Sequence, residues 1–133
     1  MVQSEGLACS LLKLAKTIEE VFHIQCYCDF NGPVEVRDDN AALHLYRIAQ
    51  EAITNAVRHG RAREVSISLQ PHEDRILMLI RDDGTGIRQP LQQTSGMGLR
   101  SMGYRAGLIG ATLEIQPGRN GGTDLICSFP KAL

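Results

Sequence analysis

The chain has 133 residues, of which 43% are hydrophobic and 22% are charged, values typical of one globular domain rather than a disordered or fibrous protein. Fourteen basic and fifteen acidic side chains leave a formal net charge of −1, so electrostatics give no reason to expect nucleic acid or an anionic membrane as a partner. No GxxxxGK[ST] string is present, which excludes a phosphate-binding loop of the Walker type.

Cysteine usage and hydropathy indicate the cellular compartment in which the protein is expected to work. The four cysteines lie on apolar segments and match no zinc-ligand spacing; they are Cys9, Cys26, Cys28 and Cys127. They are therefore predicted to be free thiols, as in proteins of a reducing compartment. No apolar run approaches the roughly 18 residues of a transmembrane helix, and the start MVQSEGLACS lacks the pattern of a signal peptide. These features favour a cytoplasmic protein.

The first half of the chain predicts two helices and a strand. Apolar residues at helical spacing predict a first helix of about four turns; they are Leu7, Leu11, Leu14, Ala15, Ile18, Val21 and Phe22. Residues 24–30 are typical of a strand, followed by an Asn-Gly-Pro turn and a short extended segment around residues 34–36. Asp38 and Asp39 provide an N-cap and an acidic first turn for a long second helix, which ends at Gly60. Its predicted buried stripe is Leu45, Tyr46, Ala49, Ala52, Ile53 and Ala56.

The second half predicts four strands and one further helix. The strands are rich in β-branched residues and lie at 65–69, 76–80, 113–115 and 124–129. A polar Pro-His-Glu-Asp hairpin joins the first two strands, and a glycine-rich turn at 118–122 joins the last two. A loop over residues 82–98 precedes the helix, which Gly110 ends and whose apolar face is Leu99, Met102, Ala106 and Ile109. Helices segregated from mostly antiparallel strands indicate an α+β two-layer sandwich.

A row of polar side chains on the second helix is the first candidate site. Glu51 and Asn55 are four residues apart and therefore stack on one face, and His59 continues the row. Polar groups on a mostly apolar helix are costly unless they meet water, a metal or each other. Taken alone, the row is more typical of a solvated helix edge than of a site, although the poor helix propensity of asparagine favours its use as a ligand.

Three glycine-containing segments are the other candidates. DDGTG at residues 82–86 directly follows a strand, so Asp82 could present its carboxylate to an amino group, although acidic turns are also common without function. GMGL at residues 96–99 leads into a helix, where backbone amides can bind an anion; a flexible connector explains it equally well. GGT at residues 121–123 by itself indicates only a hairpin turn.

The order and spacing of these four segments resemble the nucleotide-binding signature of the GHKL ATPase superfamily. EAITNAVRH is similar to its N box, DDGTG to its G1 box, GMGL to its G2 box and GGTDLICSFP to its closing strand. LYRIAQEAITNAVRHG and GLRSMGYRAGLIGATLEI also resemble the catalytic domain of bacterial sensor histidine kinases of the nitrate-sensor class. The resemblance implies a single domain over residues 1–133 with the Bergerat-type ATP-binding fold. This is an α/β sandwich in which three helices cover one face of a mixed, mostly antiparallel sheet of about five strands.

The same resemblance implies ligands for ATP and Mg²⁺. Asn55 would coordinate the metal ion, and Glu51 would contact the same ion or orient the nucleophile as the catalytic residue. Arg58 and His59 match positions that approach the phosphates, with arginine where lysine is more usual. Asp82 would accept a hydrogen bond from the adenine amino group.

Backbone and lid positions complete the implied nucleotide site. They are Gly84 and Gly86 beside the base, Gly96, Gly98 and Leu99 in a lid over the phosphates, and Thr123, which would join Asp82 and a water in holding the base. One stretch departs from the family, because residues 102–105 read Met-Gly-Tyr-Arg where a charged run is usual. Gly103 is expected to weaken this helix by up to about 1 kcal/mol relative to alanine.

The resemblance implies an enzyme that supplies the γ-phosphate of ATP for histidine phosphorylation in a two-component signalling system. We expect the family's dimerisation and phosphoacceptor helix to be absent, because His72, although followed by Glu and Asp, lies in a predicted hairpin turn. The implied partners are the dimerisation and phosphoacceptor helices of a parent kinase, which could be membrane-anchored, and a response regulator with a helix-turn-helix output domain. No nucleic acid and no direct membrane contact are expected. Two alternatives stay open: a stand-alone serine kinase of the anti-sigma-factor type, and a module that holds nucleotide without transferring phosphate.

Overall fold

Three helices and five strands are formed by the residues that the computed structural model describes, namely 2–31, 34, 36–85, 96–118 and 121–131. In chain order the elements are α1 (Val2–Phe22), β1 (Gln25–Phe30), α2 (Asp39–Arg58), β2 (Glu64–His72), β3 (Arg75–Asp82), α3 (Gly96–Leu108), β4 (Thr112–Pro117) and β5 (Thr123–Pro130). No helix in these described ranges is long and apolar enough to cross a membrane.

The five strands form one open sheet in the order β1-β2-β3-β5-β4. β1 pairs with β2 in parallel, and the other three pairings are antiparallel. A single cluster of buried side chains joins all three helices to alternate residues of the strands, such as Ile67, Met78 and Cys127. Because side chains alternate along a strand, this cluster lies on one face of the sheet. The predicted α/β sandwich with a mixed, mostly antiparallel sheet is confirmed.

The predicted helix faces are largely confirmed. Leu7, Leu11 and Ile18 of α1 are buried, whereas Val21, which shares their helical spacing, is 61% exposed. Val21 lies in the last turn of α1, one residue before the helix ends. In α2 the most buried side chains include Ile48, which the predicted stripe omitted.

Side chains and glycines define the helix ends. The Oδ1 atom of Asp38 accepts hydrogen bonds from the N–H groups of Asn40 and Ala41 at 2.8 and 3.0 Å, so Asp38 caps α2 as predicted. Gly60 follows the C-cap residue of the same helix. Gly110 follows α3 with a φ angle of 70°, the left-handed conformation that glycine adopts most easily.

Val34 and Val36, the described residues of the segment expected to be extended, form no strand, and Val36 is buried in the core. One connection differs from the sequence prediction. The hairpin between β2 and β3 is tighter than expected, because His72 pairs directly with Arg75 and leaves a two-residue turn. His72 is exposed, as expected, but it is the last residue of β2 and lies outside the turn.

Candidate functional site

The last turns of α2 place the polar row at one end of the molecule. Glu51 and Asn55 are partly buried, whereas Arg58 and His59 are exposed. Within the described part of the chain, the side chains of Glu51 and Asn55 have no hydrogen-bond partner. Among the described residues no side-chain nitrogen or oxygen is buried without a hydrogen-bond partner, so burial alone does not require a ligand for these two groups.

Asp82 ends β3 and points its carboxylate back at its own turn. Its Oδ1 atom accepts a hydrogen bond from the N–H of Gly84 at 2.8 Å, and its register partner across the sheet is Thr123 of β5. Burial raises the pKa of the Asp82 carboxyl, and the backbone N–H groups of Gly84 and Thr123 oppose that shift. A half-buried carboxylate with a raised pKa at a strand end is a typical functional group.

Direct backbone contact joins this turn to the end of α2. The N–H of Thr85 donates to the carbonyl of Gly60 at 2.8 Å. A Cβ atom at Gly84 would overlap that same carbonyl, so only glycine allows this approach. The structure therefore places the turn that carries Asp82 in backbone contact with Gly60, just past the end of α2.

The predicted lid residues are only partly described. Gly96 and Gly98 lie in the first turn of α3, so the GMGL segment begins the helix instead of preceding it. The side chain of Leu99 and the whole of Gly86 lie outside the described residues. Amide groups in a first helical turn have no partner within the helix, and they suit an anionic ligand.

Sequence reasoning missed the contribution of Asp83. Its Oδ1 atom accepts the N–H groups of Arg63 and Glu64 at 2.8 and 2.9 Å, at the start of β2. Those bonds, that of Glu64 first, lower the pKa of the Asp83 carboxyl, whereas burial raises the pKa of neighbouring Asp82. The sequence shows two adjacent aspartates, but which backbone groups the second one bonds depends on how β2 and β3 pair.

The cysteines take no part in this site. All four are free, as predicted. Burial raises the pKa of both Cys26 and Cys127 to about 12, which keeps these thiols protonated and unreactive at neutral pH.

Asp82→Asn is expected to raise the melting temperature at pH 7. Because the folded-state pKa of Asp82 is raised above its unfolded value, the wild-type protein loses stability as the pH rises through that raised pKa. Asparagine is neutral at every pH. The higher melting temperature of the variant should therefore disappear below a pH of about 4, where Asp82 of the wild-type protein is also neutral. Thermal melts across this range measure the difference. Asp83→Asn is the matched control and should show the opposite sign, and an Asp82→Asn curve parallel to wild type would contradict the assignment.

Comparison with known proteins agrees with this geometry. Residues 40–133 match the family model described as histidine kinase-, DNA gyrase B- and HSP90-like ATPase. The chain is 31% identical over 127 residues to the signal transduction histidine-protein kinase/phosphatase DegS of Brevibacillus brevis, and 34% identical over 128 residues to the sensor protein VraS of Staphylococcus epidermidis. It is 30% identical over 132 residues to the nitrate/nitrite sensor protein NarQ of Escherichia coli.

These matches cover most of this chain but a small part of the relatives. They include 94%, 95% and 98% of this chain but only 32%, 34% and 23% of DegS, VraS and NarQ. The fold is also shared with solved structures. The histidine kinase domain from the Erythrobacter litoralis blue-light activated kinase superposes with a TM-score of 0.82 at 20% identity, over 95% of this chain and 61% of that one. The ATP-binding domain of PrrB from Mycobacterium tuberculosis gives 0.78 at 22% identity over 93% of both chains.

Proposed function

The chain belongs to the family of histidine kinase-, DNA gyrase B- and HSP90-like ATPases, and from this membership we propose that it is the ATP-binding catalytic domain of a sensor histidine kinase. It binds ATP with Mg²⁺ and supplies the γ-phosphate to a histidine on another part of its parent protein. The observation that carries the proposal is the contact between the turn of Asp82 and the helix end that follows Glu51 and Asn55.

The adenine ring binds at the Asp82 end of the site. The Asp82 carboxylate accepts a hydrogen bond from the exocyclic amino group, and Thr123, its partner across the sheet, assists through a water. Gly84 and Gly86 leave room for the base beside the turn. Partial burial of the carboxylate strengthens this contact, because a charge-assisted hydrogen bond gains where competing water is limited.

The Mg²⁺ ion suits the oxygen atoms on α2. In the described part of the chain no group of three or more His, Cys, Asp or Glu side chains could hold a metal by itself. Mg²⁺ commonly takes one or two protein oxygens and completes its shell with phosphates and water, and Asn55 and Glu51 fit that requirement. When bound with ATP, the ion would neutralise charge on the phosphates.

Exposed side chains and helix amides serve the phosphates. Arg58 and His59 follow the metal ligands at the end of α2, and the first turn of α3 contributes the amides of Gly96 and Gly98. Phosphoryl transfer depends mainly on positioning and on charge neutralisation. Glu51 orients the attacking nucleophile or contacts the same metal ion. These groups together hold the triphosphate for an acceptor that approaches from outside the domain.

Asn55→Ala is expected to leave adenosine binding intact but to remove most of the Mg²⁺-dependent gain in ATP affinity. Asn55 lies on the helix, whereas the base is recognised at the turn after β3. Calorimetric titrations with adenosine, and with ATP with and without Mg²⁺, separate the two effects. Gln50→Ala, at a position whose side chain accepts a hydrogen bond from Arg47, is the control on the same helix. Equal losses of adenosine and ATP affinity would show that Asn55 is structural.

Phosphotransfer requires a partner with an acceptor histidine. Incubated alone with labelled ATP and Mg²⁺, the chain should accumulate no stable phosphohistidine, because His72 occupies an exposed hairpin. Label should appear when a dimeric helix carrying the acceptor is supplied, in cis or in trans, since the γ-phosphate needs an in-line nucleophile. Acid-labile, base-stable label on this chain alone, lost in His72→Ala, would contradict the proposal.

The cellular setting follows from the same proposal. The parent kinase contributes the dimerisation and phosphoacceptor helices, the domain works in the cytoplasm, and a response regulator receives the phosphate. DegS is named as a histidine-protein kinase and NarQ as a sensor protein, which supports this function over the two alternatives, a serine kinase of the anti-sigma-factor type and a module without phosphotransfer.

A further inference from the structure

The turn after β3 is held by a carboxylate that does not face the nucleotide site. Asp83 is both acceptor and donor in hydrogen bonds to the start of β2. Its side chain accepts hydrogen bonds from the N–H groups of Arg63 and Glu64, and its own N–H donates to the carbonyl of Glu64 at 3.2 Å. The regular pairing of β2 with β3 stops one residue earlier, at Val65 and Asp82. Asp83 therefore extends the attachment of the turn past the end of the ladder.

These bonds are not required by burial. Asp83, Arg63 and Glu64 are all exposed, so water could satisfy the same N–H groups without the carboxylate. The hydrogen bond from the N–H of Glu64 is the main cause of the lowered pKa of Asp83, which keeps this carboxylate ionised at neutral pH. We call the bonds of Asp83 to Arg63 and Glu64 the clamp.

The clamp acts on the residue beside it. Asp82 and Asp83 are adjacent, and the Asp82 carboxylate is itself oriented by the N–H of Gly84 on the other side of Asp83. Any rotation of the Asp83 backbone changes the direction of that N–H group. Thr85 fixes the far end of the turn on Gly60, so Asp83 is the side chain that fixes the near end.

We propose that Asp83 is a positioning residue that sets the direction of the Asp82 carboxylate, and through it the selectivity of the site for a purine with a 6-amino group. The inference rests on the proposed function, because it assigns a cause to the adenine recognition described above. It predicts a loss of selectivity rather than a general loss of binding.

The test compares adenosine with purine riboside, which lacks the 6-amino group, by calorimetry on the full chain. The wild-type protein should prefer adenosine by about tenfold, the effect of one charge-assisted hydrogen bond. Asp83→Ala should reduce that preference to below about threefold by weakening adenosine alone. Asp83→Asn keeps an acceptor oxygen and should retain most of the preference. Glu64→Gln neutralises a neighbouring carboxylate but keeps the backbone donor, and it should match wild type.

Each outcome separates the inference from the function on which it rests. If Asp83→Ala keeps the wild-type preference, or weakens both nucleosides equally, the positioning role is wrong while nucleotide binding stands. If Asp83→Ala fails to fold, Asp83→Glu, which keeps the charge but moves the carboxylate by one methylene, should show the same loss of preference, and an unchanged preference there also overturns the inference. If the wild-type chain binds neither nucleoside, the proposed function fails, and this inference fails with it.

Discussion

Asp82→Asn is expected to weaken ATP binding by more than about 1.5 kcal/mol, which is more than roughly tenfold in affinity. Asparagine has nearly the size of aspartate and can still accept the N–H of Gly84. It lacks the negative charge that strengthens a hydrogen bond from the adenine amino group. Its own amide also adds donors where the base requires an acceptor. The loss should therefore concern the base and appear with adenosine as well as with ATP.

Asp124→Asn is the matched control for this variant. Asp124 follows Thr123 on β5 and lies near the exposed guanidinium of Arg81, with an Nε–Oδ2 distance of 3.6 Å. The Asp124→Asn substitution removes one negative charge from the same region as Asp82→Asn but does not change the residue proposed to contact adenine. Its ATP affinity should remain within about twofold of wild type, because the pair is long and Arg81 is 59% exposed, and such surface ion pairs contribute little. Equal losses in the two variants would mean that general electrostatics, not Asp82, govern the binding.

Gly122→Ala is expected to destabilise the fold by about 3 kcal/mol or more, the sum of backbone strain and steric overlap. Gly122 has a φ angle of +74°, which an L-residue adopts at a cost, and a Cβ atom there would overlap the carbonyl oxygen of Asp82 and contact the Cα of Asp83 at 3.0 Å. The neighbouring backbone must move, and it carries the carboxylate of Asp82. Chemical denaturation measures the stability, and ATP titration of the folded fraction should show weakened binding.

Gly121→Ala separates strain from overlap. Gly121 also has a positive φ angle, +93°, but a Cβ atom there would meet nothing within 4 Å. Gly121→Ala should therefore lower the free energy of unfolding only through backbone strain, by about 1–2 kcal/mol. If the two alanine variants are equally stable, the close approach of Gly122 to Asp82 does not matter energetically, and the described packing of the site is wrong.

Local patterns allowed most of the elements to be predicted from the sequence. The stripe of Leu7, Leu11 and Ile18, the cap at Asp38 and the glycine after α3 are each decided within a few neighbouring residues. The described residues of the segment at 34–36 form no strand, because a strand also needs a partner and no local pattern reports whether one is available. Val21 is exposed although it falls at helical spacing, because burial also depends on what packs beside the helix.

The candidate site, too, could be predicted from the sequence only in part. The sequence indicated Asp82 and the polar row of α2 separately, and the family resemblance joined them before any geometry was known. The contact of Thr85 with Gly60 and the clamp formed by Asp83 depend on which backbone groups meet across strands. Those pairings are set by sheet register, which is a property of the whole fold, so neither was predictable from residue types alone.

The most direct test of the central claim is a calorimetric titration of the chain with ATP and with GTP in the presence of Mg²⁺. Guanine carries a carbonyl where adenine carries its amino group, so the carboxylate of Asp82 would meet an acceptor instead of a donor. We expect ATP to bind at least about tenfold more tightly than GTP. Equal affinity for the two nucleotides would contradict the placement of adenine at Asp82, and with it the proposed nucleotide site.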